Sequence, residues 1–211
     1  MFPVLVYHIM ETILVDEFTE RTTKLSKQVE QEFKTLLPAA KAEQILTQIQ
    51  FQPPFTQTNR YFDTADHQLK AHHFGLRTRQ FVDHAEQTLK VPVGPDRKLM
   101  EYTDAIKGID LVAGGAVEAQ LNANNIDFAD LQLIGQATTT RYLAPHPAGL
   151  LTLDHTTYVN GHDDWELEME YTDIHAAQAF WQQLATDFAI TLLPPENKIQ
   201  RAIDNVNKSQ G

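Results

Sequence analysis

The chain has 211 residues, 42% of them hydrophobic and 21% charged, which is enough for one domain with a real core and too little for a second. With 28 acidic against 17 basic residues its formal net charge is -11, the reverse of the basic surface that a general nucleic-acid or anionic-membrane binder presents. Cysteine is absent, which excludes disulfides, thiolate metal sites and cysteine nucleophiles and agrees with a cytoplasmic location.

Residues 1–24 share no pattern with the rest of the chain and read as an N-terminal extension. Their apolar run is too short to span a bilayer and lacks a basic leader, so neither export nor anchoring is expected. Residues 25–207 read as one domain and 208–211 as a tail. The domain opens on Glu30-Gln31-Glu32-Phe33-Lys34, which alternates charged and mostly other side chains. On a strand, residues two apart share a face, so the carboxylates and Lys34 line one side. Pro38 opens a helix to about residue 50, with Ile45, Leu46 and Ile49 as a narrow apolar stripe, and Pro53-Pro54 stops it. A strand is predicted over 57–62, with Asp63-Thr64 capping a short helical stretch that ends near Gly75.

Strands over 76–82 and 87–91 come after it, joined by a link of hairpin length, and they carry Arg77, Arg79 and Lys90. Between 94 and 135 the pattern predicts a strand near 98–103 and helices near 116–122 and 128–133. Three strands come next, over 137–143, 150–159 and 165–171, the last two turned by Asn160-Gly161. The last repeats the opening alternation as Glu166-Leu167-Glu168-Met169-Glu170. Residues 174–188 place Ala177, Phe180, Trp181, Leu184 and Phe188 at helical spacing, which is core packing, and a final helix from about 197 carries Lys198 and Arg201.

Seven or eight short strands, mostly hairpin-joined and accompanied by a few helices, imply an α+β fold with an antiparallel sheet closed as a β-barrel. Its polarity is inverted. Phe33, Trp165, Leu167 and Met169 fall on the outer face, where helices can cover them, which leaves carboxylates and guanidinium groups inside. Taken alone, each charged alternation is the pattern of a solvated strand face. Strands of both signs in one small domain point instead to a shared charged interior, and buried charge is costly unless paired or bound to something of opposite sign. A polyphosphate with bound divalent cations carries both signs: its oxygens take Arg and Lys donors, while Mg²⁺ or Mn²⁺ takes carboxylates.

Glu30-x-Glu32-x-Lys34 resembles the ExExK signature of the CYTH superfamily, the triphosphate tunnel metalloenzymes. The resemblance continues in order through Asn59-Arg60-Tyr61-Phe62-Asp63-Thr64, Leu76-Arg77-Thr78-Arg79, Thr88-Leu89-Lys90, Thr139-Thr140-Arg141, Leu153-Asp154, Asp164-Trp165-Glu166-Leu167-Glu168 and Asn197-Lys198-Ile199-Gln200-Arg201, and is strongest to the YjbK-like branch. It implies an eight-stranded antiparallel tunnel with helices packed outside. Lys34, Arg77, Arg79, Lys90, Arg141 and Lys198 would bind the triphosphate, and Glu30, Glu32, Asp154, Glu166 and Glu168 the metal. Glu30, Glu32, Lys34, Glu166 and Glu168 would be the catalytic set. Glu101 stands in a segment, Lys98-Leu99-Met100-Glu101, that departs from the family pattern. Glu170 is expected at the margin of the site, and Arg201 could be a helix-surface charge.

The expected activity is metal-dependent hydrolysis of inorganic triphosphate or a small organic triphosphate such as thiamine or a nucleoside triphosphate. A class IV-type adenylate cyclase and a non-catalytic polyphosphate-binding or nucleotide-binding module are the alternatives. The expected partner is that small molecule, with no nucleic acid or membrane, and the protein is expected as a monomer or homodimer. Clustered carboxylates without metal should repel one another, so removing one should relieve the metal-free protein.

Overall fold

In a computed structural model, residues 26–93, 99–193 and 197–207 are described. The expected extension and tail, and Lys98 of the strand expected near 98–103, lie outside them. The alternating segments form strands β1 (Ser26–Glu30), β2 (Glu32–Leu37), β3 (Phe55–Thr64), β4 (Gly75–Gln80), β5 (Ala85–Pro92), β6 (Leu99–Ile106), β7 (Leu131–His146), β8 (Gly149–Tyr158) and β9 (Asp163–Glu170). They make one antiparallel sheet in the order β1-β6-β5-β4-β3-β7-β8-β9-β2. Its two ends are neighbours in the chain. Only Gln31 separates β1, which pairs with β6, from β2, which pairs with β9. One interrupted strand therefore serves both edges and joins them covalently, which gives the eight-stranded tunnel-like arrangement and leaves little open edge.

The helices are α1 (Ala39–Gln48), α2 (Gln68–Ala71), α3 (Gly115–Asn122), α4 (Ile174–Asp187) and α5 (Lys198–Asn207). Pro38 precedes α1 and its carbonyl takes the Lys41 and Ala42 N–H groups. Asp63 accepts from the backbone of Leu69 and Lys70, and Thr64 Oγ1 from Gln68, so the Asp-Thr pair anchors α2 as expected. Asp173 caps α4 through His175 and Ala176. The expected helix over 128–133 is corrected. Only Phe128–Asp130 forms a single 3-10 turn, and from Leu131 the chain pairs with the end of β3, because ladder bonds to Thr64 and Asp63 outweigh a weak local helical tendency.

The outer face carries the core in two parts. Leu153, Leu167 and Met169 of β8 and β9 pack against Ala42 and Ile45 of α1 and Ala177, Trp181 and Leu184 of α4. Leu76 and Leu89 of β4 and β5 pack under Leu69, Val117 and Leu121 of α2 and α3. A third cluster, Tyr61, Ala137, Tyr158 and Ala202, lies on the opposite face, since Tyr61 pairs with Arg77 and Ala137 with Tyr158 across the ladder. Helix α5 thus enters one end of the polar interior. Gly135 makes room for it: a Cβ there would sit 3.2 Å from Ala202 Cβ and 3.3 Å from the helix backbone.

Candidate active site

The register of β7, β8 and β9 places Arg141 opposite Asp154 and Asp154 opposite Glu166, with Glu168 one pleat along, so all four side chains share the inner face. Asp154, Glu166 and Glu168 each offer a carboxylate oxygen within 4.8 Å of the others. An all-oxygen set of this kind suits a hard divalent cation. Arg141 grips Asp154 with two bonds of 2.7 Å and reaches Glu168 at 3.3 Å. Lys198 of α5 places its Nζ 2.7 Å from Asp154 Oδ2, 2.8 Å from Glu166 Oε1 and 3.9 Å from Glu168 Oε1. Burial pushes the Glu166 carboxyl up, but Lys198, the neighbouring Glu168, Arg201 and Lys34 outweigh it and hold it at about 2. Burial likewise opposes ionisation of Asp154, and Arg141 with Lys198 still keep it below the usual carboxylate range.

On β2, Lys34 stands opposite Glu168, its Nζ 4.0 Å from that carboxylate and paired with Glu32. Burial is outweighed by Glu168, Glu32 and Glu166, which raise the Lys34 pKa. Across the interior, Asn59 of β3 stands opposite Arg79 and Tyr61 opposite Arg77. Phe55, on the same face of β3, stands opposite Arg141, so the three guanidinium groups belong to one wall. Arg79 donates to Asn59 at 2.9 Å, and its ion pair among the described residues, with Glu86 at 3.7 Å, is a long one. Burial, with the charges of Arg77 and Arg141 next in weight, pushes Arg79 down to about 9. A guanidinium keeps its proton at neutral pH all the same, so the shift measures positive charge in want of an anion. Arg77 Nε is buried without a hydrogen-bond partner among the described residues.

The expected residues Glu32, Lys34, Arg141, Asp154, Glu166, Glu168 and Lys198 are therefore joined by direct contacts, with Arg77 and Arg79 facing the same space. Lys90 pairs with Glu101 at 2.6 Å, which brings Glu101 to the inner wall despite its departure from the family pattern. Glu30 is described only in its backbone, which pairs with Leu99 of β6. Glu170 falls opposite Glu32 and Leu150 at the strand end. The surface reading of Arg201 is corrected. It is 7% exposed, its Nε lies 3.0 Å from Asp164 and 3.1 Å from Tyr158 Oη, and a terminal nitrogen donates to Glu166 at 2.8 Å. It lies three positions after Lys198, so both face the same side of α5, and that spacing was the available signal. Asp164, which opens the block that carries Glu166 and Glu168, is joined by a 2.5 Å hydrogen bond to Tyr158, which had no signal of its own in the sequence.

Fold and site together define a strand-built tunnel whose inner surface opposes a carboxylate cluster to a guanidinium wall. The CYTH domain family model matches residues 28–203, and the chain belongs to that family. It is 33% identical over 192 residues to "Putative triphosphatase YjbK" of Bacillus subtilis (strain 168), covering 88% of this chain and all of that one. The crystal structure of "a putative adenylate cyclase" from Bacillus halodurans is 31% identical, with a TM-score of 0.74 over 83% of this chain and 97% of that one. A Hippeastrum protein described as a "putative adenylyl cyclase" with a dominant triphosphatase activity shares the fold at 19% identity, with a TM-score of 0.58 over 81% of this chain and 93% of that one. Among the described residues no helix is long and apolar enough to cross a membrane.

Proposed function

We propose that this chain is a metal-dependent triphosphatase that takes inorganic triphosphate or a small organic triphosphate in its tunnel. The observation that carries the reading is one inner face that brings Arg77 and Arg79 together with a carboxylate cluster, Asp154, Glu166 and Glu168, to which Arg141 is bonded. Arg77 and Arg79 would clamp phosphate oxygens with their forked donors, which the partnerless Arg77 Nε and the depressed Arg79 both favour. Lys34, Lys90, Arg141 and Lys198 would neutralise the rest of the chain. Asp154, Glu166 and Glu168, with Glu32 and with Glu30 as the family resemblance implies, would hold Mg²⁺ or Mn²⁺, which when bound would supply a Lewis acid at a phosphoryl oxygen. A carboxylate of this wall takes the proton of the water that attacks the terminal phosphorus, and the basic wall holds the leaving group, pyrophosphate from inorganic triphosphate or the organic diphosphate from an organic one. Positioning and charge stabilisation account for the rate. The family relationship and the triphosphatase name of the Bacillus subtilis relative support the same reading.

The test is phosphate release from inorganic triphosphate, thiamine triphosphate, ATP, GTP and longer polyphosphate with each metal, with cyclic AMP measured in the ATP reactions. The expected result is hydrolysis of inorganic triphosphate at least as fast as ATP, and ADP plus phosphate from ATP. Cyclic AMP as the main product, with inorganic triphosphate untouched, would establish the cyclase instead. Binding without turnover under either metal would establish a binding module.

A further inference from the structure

Lys198 touches every member of the acidic cluster. Its Nζ lies 2.7 Å from Asp154, 2.8 Å from Glu166 and 3.9 Å from Glu168, and the three carboxylate oxygens of that cluster span no more than 4.8 Å. An ammonium is a compact point charge with three donors on a flexible stem, so it satisfies three carboxylates much as a small cation does. The other three cations beside the cluster are placed differently, and Arg141, on the neighbouring strand, bonds both oxygens of Asp154 and reaches Glu168 Oε2 at 3.3 Å but makes no ion pair with Glu166 among the described residues. Arg201 bonds the Oε2 atom of Glu166, whereas Lys198 holds Oε1, and Arg201 is tied behind it to Tyr158 and Asp164. Lys34 leans on Glu32 and stands 4.0 Å from Glu168.

We infer that Lys198 is a resident cation of the carboxylate cluster, and that a divalent metal and the Lys198 ammonium occupy this position alternately. The inference rests on the triphosphatase reading for the site and adds an order of events to it. Metal entry displaces the ammonium, which swings on its stem toward the phosphate chain, so that one helix-borne lysine balances the cluster before metal binds and grips substrate afterwards. A metal held by these oxygens and an ammonium already 2.7 and 2.8 Å from two of them would claim the same space, and two cations that close in a partly desolvated interior repel strongly. Metal and triphosphate therefore assist each other through Lys198, since each removes the ammonium's competing partner or provides its new one.

Mn²⁺ binding, read by electron paramagnetic resonance without substrate, tests this on the wild type and on Lys198→Met, Arg201→Met and Lys34→Met. If Lys198 competes for the position, Lys198→Met binds Mn²⁺ at least tenfold more tightly than wild type, and its KM for inorganic triphosphate rises. Arg201→Met and Lys34→Met, which remove the same charge nearby, change Mn²⁺ affinity several-fold less. Circular dichroism spectra matching wild type establish that each variant is folded. Should Arg201→Met lose its fold, Lys34→Met still supplies the comparison. Unchanged or weaker Mn²⁺ binding by Lys198→Met overturns the inference, and so does equal tightening in all three variants, which would reflect the field alone. Tightening confined to Lys198→Met in a protein that hydrolyses no triphosphate would uphold the exchange and reject the triphosphatase reading.

Discussion

Glu166 is the carboxylate whose environment the fold controls most completely, and its removal tests the charge balance of the interior. It is 1% exposed and bonded to Lys198 and Arg201, both at 2.8 Å. Burial alone would raise its pKa, yet Lys198, Glu168, Arg201 and Lys34 together bring it to about 2 from an ordinary value near 4.5. A difference of roughly two and a half decades in proton affinity, at about 1.4 kcal/mol each, makes the charged form worth roughly 3 kcal/mol to the folded protein. A depressed acid contributes above its unfolded pKa and loses that contribution as pH falls through the folded value. The stabilisation is thus complete at pH 7, declines below about pH 4.5 and is gone near pH 2. Asp154 acts in the same direction, burial again being outweighed by Arg141 and Lys198. The assay is urea unfolding in EDTA across pH 3 to 7, comparing wild type with Glu166→Gln. At pH 7 the variant should lose roughly 3 kcal/mol, and its acid limb should be shallower. Equal midpoints at pH 7, or an unchanged acid slope in the variant, would refute the reasoning. Carboxylate repulsion, as the alternation suggests, predicts the opposite sign; the observed ion pairs reverse it.

The remaining predictions concern turnover and packing. Glu32→Gln and Glu168→Gln should each abolish phosphate release while the circular dichroism spectrum stays native; near wild-type turnover at saturating metal would remove that residue from the metal set. Arg77→Lys and Arg79→Lys keep the charge but lose the fork, so each should reduce kcat/KM by about tenfold or more, equivalent to about 1.4 kcal/mol of transition-state stabilisation. Kinetics equal to wild type would assign these arginines to structural pairing. Gly135→Ala would drive a methyl group against Ala202 and the Ile203 amide, 3.2 and 3.3 Å from the ideal Cβ, and neither can yield without moving α5. A loss of about 1–3 kcal/mol is expected, seen as a fall in Tm of roughly 2–4 °C for each. An unchanged Tm would mean that α5 does not seal that end of the tunnel.

Local chemistry is legible wherever a few neighbouring residues decide it. Period-two charge marks β2, β4 and β9, Asp63-Thr64 places a helix start, and Asn160-Gly161 turns β8 into β9 with Gly161 at a φ of 83° and Tyr158 N–H bonded to His162 O. The inversion of the sheet was legible too, since Leu167 and Met169 cannot share a face with Glu166 and Glu168, and they lie in the helix-covered core. Where alternation is absent the sequence is silent. The stretch after Asp127 has no strong preference, and its strand exists because Thr64 and Asp63 offer a ladder to join. The break at Gln31, which lets one stretch of chain close both edges, likewise depends on β6 and β9 being there to receive it.

The sequence by itself determined which residues could share a strand face, because side-chain period is a property of the backbone and needs no partner. Only the tertiary structure decided which faces meet. Arg141, Asp154 and Glu166 become neighbours through ladder register, and Lys198 and Arg201 join them only because Gly135 lets α5 pack inside the sheet. Whether an exposed-looking Arg201 is a surface charge or a buried partner of Glu166 depends on that docking, for the free energy of a charge is set by what surrounds it in space and not by its neighbours in the chain.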